Sequence, residues 1–218
     1  MPTGADFEAV KYFGIGLSRT GTTSLTAAMR SLGYTACHWS NPEARRIISI
    51  EDFLTHDAAF DIPVSAFFEH LFHAFPNARF IYSEREIGAW TAAVSRHYSA
   101  ESPQLVKQRL APWPIKGLFA PARFVENAAA YHAIHHSLYL AHPTWEAAYR
   151  AHEQRVLSFF SGDRAGKLLR IEVAADPEPW ITLCGFLETE APQLPFPHKI
   201  VTPARVPGVP PAAAPTSL

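Results

Sequence analysis

The chain is 218 residues long, which one domain can accommodate, because single cores run to about 200–250 residues. Hydrophobic residues make up 48% of it, enough for a sizeable core, and 19 Lys and Arg against 20 Asp and Glu leave a formal charge of -1. That balance argues against a nucleic-acid partner, whose recognition needs many phosphate-neutralising cations, and two cysteines are too few for a disulfide framework or a cysteine-rich zinc site. Cys37 and Cys184 read as two small buried thiols. The first residues lack the basic and apolar regions of a secretory signal, and no run of about 18 apolar residues exists to cross a membrane, so a cytoplasmic protein is expected.

In chain order, Lys11–Gly16 is a short apolar run ending in glycines and predicts a buried strand. Thr22–Leu32 predicts a helix, with Leu25, Ala28, Met29 and Leu32 on one face and Gly33 as its stop. Tyr34–Trp39 reads as a second short strand, Pro42–His56 as a helix, and Ala58–Ile62 as a third strand. Val64–Phe75 predicts an amphipathic helix with Phe67, Phe68, Leu71, Phe72 and Phe75 inward. Arg79–Ser83 is a central strand candidate, and Ile87–Tyr98 a helix. Residues 99–121 hold four prolines and predict a surface excursion or lid, within which Trp113 is a candidate for an acceptor pocket.

Phe124–Ala141 and Pro143–Phe160 then predict two long helices, Lys167–Val173 the last strand, and Pro179–Glu188 a short helix. Strands alternating with helices predict an α/β fold with a mostly parallel sheet covered on both faces. Residues 1–202 are expected to form a single domain. Residues 203–218 carry five prolines, several alanines and no acidic residue, and read as a disordered tail. His132, His135 and His136, with His142 nearby, have spacings that share a helix face but lack accompanying carboxylates or thiols, so they predict a polar helix face or interhelical packing and no metal site.

The loop after the first strand carries the chemistry. Gly16 and Gly21 have the G-x-x-x-x-G spacing of a phosphate-binding loop. Such glycines let the chain curl so that successive amides face inward, and the N-terminus of the next helix adds partial positive charge. Ser18, Thr20, Thr22, Thr23 and Ser24 bring hydroxyls, and Arg19 is the one cation in the loop. The Lys-Ser/Thr pair of nucleoside-triphosphate loops is replaced by Thr22-Thr23, which argues against an ATPase or GTPase. The competing reading is a tight turn whose threonines merely cap the helix.

The stretch Ser18-Arg19-Thr20-Gly21-Thr22-Thr23 resembles the 5′-phosphosulfate loop of the P-loop sulfotransferases, usually written P-K-S-G-T-T. The resemblance runs over about residues 11–200. It implies a P-loop three-layer α/β/α fold, 3′-phosphoadenosine 5′-phosphosulfate (PAPS) as donor, a small-molecule hydroxyl or amine acceptor, and no metal. It also implies that Ser18, Arg19, Thr20, Gly21, Thr22, Thr23 and Ser24 bind the donor. Arg79–Trp90 resembles the second signature, in which Arg85 would hold the 3′-phosphate; the family's Ser falls at Ala93 here, and Ser95 lies about 200° away around the helix. Asp61, in Phe60-Asp-Ile-Pro63, falls where the family has its general base.

Arg19 and Asp61 are therefore the candidate catalytic residues. Read without the family, Arg85 would pair with Glu84 or Glu86, and Asp61 would cap the next helix or pair with a loop cation. The function expected is sulfuryl transfer from PAPS. The alternatives are a catalytically idle ligand- or protein-binding member of the fold, and a kinase-like phosphotransferase.

Overall fold

The computed structural model describes residues 7–110 and 122–198. The expected tail at 203–218, Trp113 and most of the proline-rich excursion lie outside these residues. Each strand of the sheet is short: β1 (Tyr12–Gly14), β2 (Ala36–His38), β5 (Ala58–Phe60), β6 (Arg79–Ser83) and β7 (Leu168–Ile171). These five pair in parallel in the order β2-β5-β1-β6-β7. Two two-residue strands, β3 (Ser40–Asn41) and β4 (Arg46–Ile47), extend the β2 edge in antiparallel fashion.

Side-chain alternation divides the sheet between two cores. Tyr12, Ala58, Phe60 and Ile81 face one cluster, with Leu25, Ala28 and Met29 of α1 (Thr22–Ser31) and Leu183, Cys184 and Leu187 of the C-terminal helix (Pro179–Leu187). Phe13, Ala59, Phe80 and Tyr82 face the other, with Phe53 of α2 (Ile50–Thr55), Phe68 and Leu71 of α3 (Ile62–Ala74), and Val156 of a helix at Trp145–Phe159. The architecture is thus three-layer α/β/α. A third cluster joins Leu17 of the loop to Trp90 and Val94 of α4 (Ile87–Tyr98), Val106 of α5 (Pro103–Leu110), and Ile134 of α6 (Ala122–His135). It also takes in Leu138 and Tyr139 of a π-helical turn at His136–Leu140, then Trp145 and Tyr149 of α7, the Trp145–Phe159 helix. The C-terminal helix is α8.

Three expectations need correction. Pro42–His56 is not one helix. Asn41 Oδ1 takes the Ala44 amide at 2.9 Å, and Trp39 and Arg45 adopt positive φ (55° and 54°), so the chain turns back as the β3–β4 hairpin. Helix begins only where Ser49 and Asp52 form a capping box. Asp52 also accepts from Arg46 Nη1 and, at 2.6 Å, from Asn41 Nδ2, tying the hairpin to α2. Second, Phe67 points outward at 47% exposure, because the buried face of α3 runs through Val64, Ala66, Phe68 and Leu71. Third, the first strand stops at Gly14, which releases Ile15 and Gly16 into the loop.

The histidine-rich helix packs as expected. His135 is buried, its Nε2 3.0 Å from Tyr98 Oη and its Nδ1 2.8 Å from the Tyr131 carbonyl. Both cysteines are buried and free, and burial pushes the Cys37 thiol up to about 12. No helix among the described residues is long and apolar enough to cross a membrane.

Candidate active site

The loop leaves the sheet at its centre, between β5 and β6. Its two glycines are needed for different reasons. A Cβ on Gly16 would collide with Ser83 Oγ and the Ser83 carbonyl, so close approach to the end of β6 demands glycine there. Gly21 sits at φ 107°, in the left-handed region that side chains disfavour. The loop closes on itself where the Thr20 amide and hydroxyl both donate to the Leu17 carbonyl, at 3.2 and 2.7 Å. Ser83 Oγ, 2.7 Å away, donates to Thr20 Oγ1 in turn.

Below, Ser65 Oγ donates to the Gly16 carbonyl at 2.8 Å, and His152 Nε2 meets the Ile15 carbonyl at 2.8 Å. Above, Trp90 Nε1 donates to the Ser18 carbonyl at 2.9 Å, while the Ser18 amide donates to Tyr139 Oη at 3.2 Å. The curl is therefore held from four elements.

The opposite face of the loop is left open. Helix α1 starts on Gly21 with no capping side chain and no acidic residue in its first turn. Helix geometry leaves its first amides without intrahelical partners. Arg19, at φ 75°, is half-buried, and its Nε is sealed from solvent without a hydrogen-bond partner among the described residues. Its charge, after burial itself, holds the titration of His97 on α4 below the usual histidine range, against the opposing pull of Asp61. Arg85 lies half-buried beside the loop with Nη1 3.1 Å from the Arg19 carbonyl. Neither neighbouring carboxylate engages it: Glu84 binds Arg170 at 2.6 Å, and Glu86 caps α4 through the Gly88 and Ala89 amides.

Asp61 follows β5 in a conformation (φ 87°, ψ 179°) that only glycine adopts freely. Backbones of this kind cost on the order of 1–3 kcal/mol and persist where surroundings over-determine them. The carboxylate does not cap α3. Oδ1 accepts from Ser18 Oγ at 2.8 Å, and Oδ2 stands 3.5 Å from Nε2 of His38. That same Nε2 lies 3.1 Å from Thr22 Oγ1 and 3.3 Å from Thr23 Oγ1. Asp61, Ser18, His38 and the threonines thus form one polar chain across the mouth of the loop.

A sulfotransferase domain model matches the chain over residues 11–56 and 49–202. The chain belongs to the sulfotransferase family. A search of curated proteins gives no match.

The fold of this sulfotransferase-family protein brings Ser18, Arg19, Thr20, Gly21, Thr22, Thr23, Asp61 and Arg85 to one place, with Ser24 buried in the first turn of α1. Thr20 serves the loop's own architecture, since its hydroxyl is spent on Leu17 and Ser83. Ala93 is buried and Ser95 is not its substitute in space. Sequence reasoning missed His38, Tyr139, Ser65 and His152. His38 ends β2, and the parallel register pairs it with Phe60, the residue before Asp61, a neighbourhood that only the sheet creates. Nothing local marks the others. Among the described residues no group of three or more His, Cys, Asp or Glu side chains is arranged to hold a metal ion.

Proposed function

We propose that this protein transfers a sulfuryl group from PAPS to a hydroxyl or amine of a small acceptor, using residues 1–202 as one catalytic domain. The observation that carries the reading is the orphaned Nε of Arg19 beside an uncapped helix start, a donor set suited to an oxyanion. The donor supplies an activated sulfuryl group whose bridging oxygen becomes anionic on transfer.

The remaining work falls to the chain. The first-turn amides of α1, with Thr22 and Thr23, hold the 5′-phosphosulfate. Arg19 binds the same end and offsets charge developing on the bridging oxygen, an electrostatic contribution made by a fixed group. Arg85 serves the 3′-phosphate. Asp61 takes the proton released by the acceptor or orients it. Trp90, Tyr139 and Ser65 keep the loop backbone curled before the ligand arrives.

Calorimetric titration with 3′,5′-adenosine bisphosphate (PAP) and with MgATP tests the donor. PAP should bind at least about tenfold more tightly, a difference of about 1.4 kcal/mol; a preference for MgATP would turn the reading toward a phosphotransferase. A second reading, a catalytically idle binder, is favoured by Ala93, which offers no hydroxyl to a 3′-phosphate. It predicts no passage of label from PAPS carrying radioactive sulfur into a pooled metabolite extract, where the enzyme reading predicts labelled product.

A further inference from the structure

His38 belongs to no part of the loop motif, yet the fold delivers it there. It stands at the end of β2, paired in register with Phe60 and so beside Asp61. Its Nε2 has three oxygen neighbours within 3.5 Å: the hydroxyls of Thr22 and Thr23 and the carboxylate of Asp61. An ionised carboxylate only accepts hydrogen bonds, so its presence favours the hydrogen on Nε2. Both hydroxyls can rotate, and each carries a hydrogen of its own.

Three polar hydrogens therefore converge at the start of α1, where no side chain caps the helix. The imidazole is also reachable: 24% of its side-chain surface is exposed, against 9% for Asp61. The orphaned Nε of Arg19, on the same loop, shows that the site's donors exceed the acceptors the chain itself provides.

We propose that His38 is a ligand-binding residue of this cradle, its Nε2–H joining the Thr22 and Thr23 hydroxyls on one oxygen of the donor's 5′-phosphate. In the absence of ligand the three groups satisfy one another and Asp61. On binding, the hydroxyls turn toward the oxyanion and Nε2–H follows, leaving Asp61 with Ser18 as its remaining partner. His38 thereby adds a donor from β2 to a loop whose sequence supplies only one cation. The proposal rests on the PAPS reading for the name of its ligand, but its chemistry is that of any phosphate-type oxyanion.

Calorimetric titration of the full chain and of His38→Ala and His38→Gln tests it, with inorganic pyrophosphate, PAP and adenosine 3′-phosphate as probes. His38→Ala should weaken pyrophosphate and PAP by about tenfold or more, as loss of a hydrogen bond to a charged group does. It should leave adenosine 3′-phosphate, which has no 5′-phosphate, unchanged. Glutamine keeps an N–H donor at similar reach, so His38→Gln should stay within about threefold of the parent protein.

Equal binding of pyrophosphate and PAP by His38→Ala would overturn the proposal, as would an equal loss for all three probes. Dependence of pyrophosphate binding on His38 without PAP binding by the parent would keep the cradle and remove the PAPS reading. Tight PAP binding indifferent to His38 would do the reverse. Should His38→Ala fail to fold, the nitrogen-15 resonance of the His38 imidazole in the parent protein decides: it should shift on adding pyrophosphate, and an unmoved resonance overturns the proposal.

Discussion

On its underside the Gly16–Gly21 loop is tied down by Ser83, Ser65 and His152, three groups from three different elements, each spending a polar atom on the loop itself, although the far ring nitrogen of His152, Nδ1, has no partner among the described residues. On its open face Arg19 Nε has no partner among the described residues, α1 begins without a cap, and Arg19 and Asp61 hold positive φ. One face is a set of hydrogen bonds to the loop backbone, and the other holds donors that the chain leaves open. Under the proposed function the contrast has a physical sense: the sealed face holds the open face in the shape that an oxyanion requires.

Substitutions on the sealed face should cost stability, and those on the open face should cost affinity. The largest effect is expected at Gly16. Gly16→Val drives a side chain into Ser83, and overpacking of this kind should lower the unfolding free energy by about 3 kcal/mol or more, read by urea denaturation. A shift under about 1 kcal/mol would show that the underside yields.

Acid should act on the same face through His152, and on the neighbouring helices through His135. Burial holds His152 and His135 down at about 4, while a histidine in the unfolded chain titrates near 6.5. Below about pH 6.5 the unfolded chain gains protons that the folded chain refuses, so stability falls as pH drops toward about 4, by about 3 kcal/mol per histidine. His152→Gln, whose amide can still reach the Ile15 carbonyl, should flatten that acid limb while remaining folded at neutral pH. An unchanged limb in a denaturation series across pH would remove His152 from this account.

Under the proposed function, substitutions on the open face are expected to change ligand affinity. Arg19→Ala should weaken PAP by about 2 kcal/mol, roughly thirtyfold, with thermal unfolding of the ligand-free protein almost unmoved. A fall in melting temperature without loss of PAP binding would assign Arg19 to the framework instead.

Asp61 sharpens the comparison with the smallest effect. Asp61→Gly relieves a glycine-type backbone while deleting the carboxylate, so stability should hold or rise by about 1 kcal/mol even as sulfuryl transfer is lost. A clear loss of stability would mean that its contacts with Ser18 and His38 outweigh the strain.

Legibility followed the range of the forces involved. The strand–loop–helix at residues 12–31 could be read directly, because glycine spacing, threonine hydroxyls and helical periodicity act on immediate neighbours. The strand at Arg79–Ser83 and the helix at Ile87–Tyr98 were equally plain, since an apolar run and a 3.6-residue pattern need no partner to be recognised. The segment 42–56 misled, because a helical reading of it overlooks the Asn41 turn and the positive φ of Arg45, which keep its first residues out of a helix.

What the amino-acid order settled by itself was the curled turn, its arginine and the parallel alternation around it, all of which arise within about ten to twenty residues of chain. Only the tertiary structure could decide what surrounds that turn. His38 reaches Thr22 across 16 residues, Tyr139 reaches Ser18 across 121, and His152 reaches Ile15 across 137. Sheet order and helix packing choose such partners by geometry, and local preference carries no record of them.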